Sequence, residues 1–130
     1  MTGSEVRDPR GQLEAPVDGP LEVLLQGAEH EDVTLRQQAL YLLVKHSEEA
    51  GGGPYAARAL YDPSPYVKRQ GIRALLERWE EAPAQEALRG LVVREDVDAY
   101  TRGIAGAGLA GHGDAEVLSV FEAAWRSAPS

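Results

Sequence analysis

The chain has 130 residues, a length that accommodates one domain, and 43% hydrophobic with 26% charged residues is enough for a buried core rather than wholesale disorder. A formal net charge of −8 opposes non-specific binding to nucleic acid or an anionic membrane, and the lack of cysteine removes disulfides, thiolate metal sites and thiol catalysis. The longest run of large apolar residues, Leu40 to Val44, is five residues and cannot span a bilayer. Met1 to Glu5 show no basic-then-apolar signal pattern, so a cytoplasmic protein is expected. Eleven Arg against two Lys, with 19 Ala and 14 Gly, is the bias of a GC-rich genome and points to a bacterial origin.

In chain order, residues 1–19 carry three Gly, two Pro and mixed charge with no apolar period, and read as a flexible N-terminal tail ahead of a folded domain at 20–130. Leu21 to Leu25 form a short first helix. Leu35, Ala39, Leu42 and Leu43 recur at helical spacing and predict a longer second one. Gly51-Gly52-Gly53-Pro54 then reads as a linker; it lacks the Lys and Ser/Thr of a phosphate-binding loop. A short helix over Tyr55 to Tyr61 leads to another carrying Val67, Gly71, Leu75 and Trp79, which starts either at Asp62-Pro63 or at Ser64-Pro65. Ala82-Pro83 breaks the chain again before apolar stretches at Ala84 to Val93, around Ala105 and Leu109, and at Ala115 to Ala124. The pattern predicts an all-α fold of seven helices, short outer members alternating with longer inner ones.

The inner helices repeat one another. His30 to Ala39, Asp62 to Gly71 and Asp96 to Ala105 align without gaps. Each has a basic residue (Arg36, Lys68, Arg102), a small residue three positions on (Ala39, Gly71, Ala105) and a leucine four later (Leu43, Leu75, Leu109), at spacings of 32 and 34. The runs Asp62-Pro-Ser-Pro-Tyr-Val-Lys-Arg-Gln-Gly-Ile-Arg-Ala-Leu75 and Arg102-Gly-Ile-Ala-Gly-Ala-Gly-Leu-Ala-Gly-His-Gly-Asp114 resemble HEAT repeats, in the short bacterial form of phycobilisome-lyase-like HEAT proteins. The resemblance extends over about residues 20–127, departing at His30, where an Asp is usual, and in the glycines of the third repeat. It implies an α-solenoid of antiparallel helical hairpins, about three and a half repeats, whose inner helices line a concave face. It also implies a binding scaffold more readily than an enzyme.

Candidate chemistry is sparse. His30 lies among Glu29, Glu31 and Asp32, His46 precedes Glu48 and Glu49, and His112 is near Asp114. One His30-Glu31 pair cannot supply the ligands of an iron site, so neither a metal nor a cofactor is expected. Asp62 and Asp96 read as helix caps or as partners of basic residues in neighbouring repeats. No serine lies in a nucleophile-elbow context, so no catalytic residue is assigned.

Positions four apart on each inner helix share a face: Gln37, Tyr41 and Lys45; Arg69, Arg73 and Glu77; Gly103, Ala107 and Gly111. Tyr41, Lys45, Arg69 and Arg73 are therefore the candidate partner-binding residues, a basic-aromatic patch for an acidic segment or helix of another protein. The competing reading pairs Lys68 and Arg69 with Asp62, Asp96 or Asp98 in an intramolecular ladder. Glycines at 103, 106, 108 and 111 either give room for close packing or leave a smooth strip. Leu21 to Leu25 at one end, and Phe121 with Trp125 at the other, expose apolar faces that would favour a homodimer or docking on a larger protein. The expected function is a non-catalytic protein-binding module. The alternatives are an accessory subunit of a HEAT-type bilin lyase or a neutralising protein for a toxin.

Overall fold

A computed structural model of the protein describes residues 19–113 and the helical positions Ser119, Glu122, Ala123 and Arg126. Six α-helices follow one another: α1 (Gly19–Gly27), α2 (Val33–His46), α3 (Pro54–Leu60), α4 (Pro65–Leu76), α5 (Ala82–Val92) and α6 (Ala99–Gly111), with a 3₁₀ turn at Ala50–Gly52. There is no strand among the described residues. The expected tail at 1–18 and most of the expected seventh helix, Ala115 to Ala124, lie outside them.

The three long helices start by the same device, in register. Asp32 accepts the N–H groups of Thr34 and Leu35 at 2.7 and 3.4 Å. Ser64 accepts that of Tyr66 at 3.1 Å, and Asp98 that of Thr101 at 2.9 Å. Of the two starts open for α4, the chain takes Ser64-Pro65. Asp62 is unavailable as a cap because its carboxylate is engaged with the preceding repeat: Arg36 donates Nε at 2.8 Å and a terminal nitrogen at 3.0 Å, and Ser64 donates its N–H at 2.9 Å. Asp96 likewise pairs with Arg94, at 2.7 and 3.0 Å, and leaves capping to Asp98. Lys68, buried, adds its charge to both Asp62 and Asp96. The third basic residue of this series, Arg102, has a buried Nε with no hydrogen-bond partner among the described residues.

Helices pack in consecutive pairs, α1 on α2, α3 on α4 and α5 on α6, while α4 lies between α2 and α6. The small residues of the repeat mark where paired helices approach most closely. A Cβ built on Gly71 would stand 2.8 Å from Ala59 Cβ, and one on Gly27 2.9 Å from Ala39 Cβ. One continuous core joins Leu40, Leu43 and Val44 to Val67, Ile72 and Leu75, and on to Leu88, Leu91, Val92, Ala105 and Leu109. Each buried aliphatic side chain of this size contributes about 1.5–3 kcal/mol.

The glycine triplet is a buried junction, where a plain linker was expected. Gly51, Gly52 and Gly53 adopt φ of 68, 82 and 56°, a region that glycine enters without steric cost. A Cβ on Gly51 would fall 2.6 Å from Pro83 Cβ, and one on Gly52 2.7 Å from Val44 Cγ1. Gly51 donates its N–H to Glu81 at 2.6 Å, and Glu81 also receives Arg78 Nε at 2.9 Å. The rest of the Arg78 guanidinium gathers the carbonyls of Val44 (2.8 Å), Ser47 (2.7 Å) and Glu49 (3.0 Å). Arg78 therefore closes the negative end of α2 and ties it to the start of α5.

Candidate functional site: a groove over α2, α4 and α6

Two of the columns named from sequence meet, Tyr41 and Lys45 of α2 against Glu77 after α4, and beside them runs an open groove of about 1010 Å³. Leu76 of α4 and Ile104 of α6 give it apolar surface over the buried Ile72. Lys45, Arg69 and Arg73 supply cations, and Trp79 and His112 also line it. The two rings stack with centroids 4.8 Å apart and planes 15° from parallel.

Of the four predicted residues, three line this groove directly, and Tyr41 supports it from α2. They fall into two clusters with different character. In the first, the Tyr41 hydroxyl donates to both carboxylate oxygens of Glu77, at 2.6 and 2.7 Å. Lys45 Nζ lies 3.4 Å and Arg73 Nε 3.5 Å from the same carboxylate. Both cations also stand over the Tyr41 ring, at 5.5 and 4.9 Å from its centre. The Tyr41 hydroxyl, then the nearby cations, hold the Glu77 carboxyl below the usual range against the opposing effect of burial. Tyr41 and Glu77 in turn hold the Lys45 ammonium above its ordinary value.

Arg69 forms the second cluster and is turned toward α6. Its Nε donates to Thr101 Oγ1 at 3.1 Å, and the Thr101 hydroxyl donates on to Asp98 at 2.7 Å. The guanidinium lies 3.6 Å from Asp98 and sits between the Tyr66 and Tyr100 rings, 5.6 and 4.6 Å from their centres. Burial pushes the Asp98 carboxyl up, but the Thr101 donors and the Arg69 charge outweigh it and leave it lowered. Of the two sequence readings for Arg69, the pairing with Asp98 describes its contacts. Lys45 and Arg73, with side chains 41% and 64% exposed, are the accessible cations.

Trp79 and His112 both belong to the groove, although sequence placed Trp79 in the apolar pattern of a helix and noted His112 only for its nearness to Asp114. Their meeting depends on how α4 and α6 lie together; neither residue's local pattern shows it. The α6 glycines divide: Gly108 is pressed against Leu76, where a Cβ would fall 2.5 Å from Cδ1, whereas a Cβ on Gly103 or Gly111 would meet nothing within 4 Å. Of the two ends that sequence singled out, the first is exposed, Leu21 at 47% and Val23 at 54%, and Phe121 and Trp125 of the second lie outside the described residues. The described residues hold no group of three or more His, Asp or Glu able to take a metal ion, and no helix long and apolar enough to cross a membrane. Compared with known proteins, the chain significantly matches no family model, no curated protein and no solved structure.

Proposed function

We propose that this is a non-catalytic binding module, a short α-solenoid of HEAT-like hairpins that takes an acidic segment or helix of another protein into its groove. The in-register caps Asp32, Ser64 and Asp98, with Arg36 reaching into the next repeat at Asp62, support the stacked-hairpin reading. The observation that carries the function is the coexistence, in one open groove, of apolar surface (Leu76, Ile104, Trp79) with exposed cations (Lys45, Arg73). Apolar area supplies affinity and the cations supply orientation and selection for carboxylates. The reading places the protein in a bacterial cytoplasm.

Selection of random displayed peptides on the immobilised protein tests this. Enriched peptides should combine Asp or Glu with apolar residues, and their retention should vanish on a folded Lys45→Glu, Arg73→Glu double variant. Enrichment of basic peptides, or retention that ignores the two reversals, would contradict the proposal.

A further inference from the structure

The groove's accessible cations are not vacant, since one carboxylate of the protein's own already sits on them. We propose that Glu77 is an internal occupant of a carboxylate site built from Tyr41, Lys45 and Arg73, and that a partner's Asp or Glu binds there by displacing it. The inference rests on the groove-binding reading above and specifies how that site is regulated.

Three observations carry it. First, the site is assembled around a single carboxylate, with the Tyr41 hydroxyl at 2.6 and 2.7 Å and cations from two helices at 3.4 and 3.5 Å. Second, its donors also contact one another. Lys45 and Arg73 both lie over the Tyr41 ring, an attraction that does not pass through Glu77. Third, the cluster is loose where the Arg36–Asp62 pair is locked. Glu77, Lys45 and Arg73 have side chains 34%, 41% and 64% exposed, against 8% and 16% for Asp62 with Arg36. Ion pairs that exposed contribute little to stability, so exchanging one carboxylate for another costs little. The charges of the site fit an acidic ligand only once Glu77 has left: two cations and one anion become two cations.

A fluorescent helical peptide of Glu, Leu and Ala, roughly 15 residues long, serves as the probe, with a version carrying Gln for every Glu as control. Binding is followed by anisotropy at low ionic strength, where exposed charges are least screened. Glu77→Gln and Glu77→Ala should each bind the acidic peptide about two- to fivefold more tightly than wild type, and the control peptide unchanged. Circular dichroism and melting confirm that the variants are folded. Equal or weaker binding of the acidic peptide by both folded variants would overturn the displacement proposal. If that binding still required Lys45 and Arg73, the groove reading would stand without it. Failure of wild type and both variants to prefer the acidic peptide over its Gln control would overturn the two readings together.

Discussion

Arg36 and Arg73 show how little residue type says about role. Both are arginines on inner helices beside a carboxylate, yet Arg36 is 16% exposed and grips Asp62 with two nitrogens, while Arg73 is 64% exposed and meets Glu77 at 3.5 Å. Removing one member of a mostly buried pair leaves the other uncompensated, so Asp62→Ala should cost about 3 kcal/mol in urea denaturation. Arg73→Ala should change stability by no more than roughly 0.5–1 kcal/mol. Arg78→Ala should cost about 2–4 kcal/mol, because it abandons three carbonyls and Glu81 at once. Asp62 also sets a pH dependence. Burial raises its carboxyl, but Arg36 and the Ser64 N–H more than offset this and leave it lowered. A lowered carboxyl contributes stability that is present above the unfolded-state value of about 4 and lost as pH falls through the lower folded value. Wild-type stability should therefore drop as pH falls below about 4, and Asp62→Asn, less stable at neutral pH, should show a shallower drop. The series Arg36, Lys68 and Arg102 was legible as structural because it recurs. Arg78 was not, since its counterparts at 46 and 112 are histidines, and nothing local announces a residue that serves a loop about thirty positions away.

Among the helices, glycine position decides the sign of substitution. Gly103→Ala places a methyl in open space and replaces a poor helix former, so α6 should gain about 0.5–1 kcal/mol. Gly71→Ala has the same propensity gain but drives its Cβ to 2.8 Å from Ala59, and a net loss of about 1–2 kcal/mol is expected. Melting of the two variants side by side checks both. The six helices were readable from apolar spacing and from Pro and Gly breaks, because those signals are local. The start of α4 was readable only as a pair of alternatives, since Asp62 and Ser64 are both good caps. The choice between them is made by Arg36, 26 residues earlier in the chain. The glycine triplet was legible as a break but not as a junction, because sequence shows that side chains are missing there and not that Pro83 and Val44 fill the space.

At the scale of the molecule, the repeat both builds the groove and varies what it displays. Positions 45, 77 and 111, equivalent in the repeat, carry Lys, Glu and Gly, so one framework presents a cation, an anion and bare backbone in turn. Tyr41, Lys45, Arg69 and Arg73 were found from that equivalence, yet whether each stays free depends on neighbours outside its own column. Thr101 and Asp98 bind Arg69 inward, and Glu77 covers the other three. The most direct test is a calorimetric titration of wild type and the Lys45→Glu, Arg73→Glu double variant with the acidic Glu/Leu/Ala peptide. Binding by wild type that weakens with salt, and falls at least about tenfold in a double variant of unchanged melting temperature, is the predicted result. Equal binding by the two proteins would remove the groove's cations from the function.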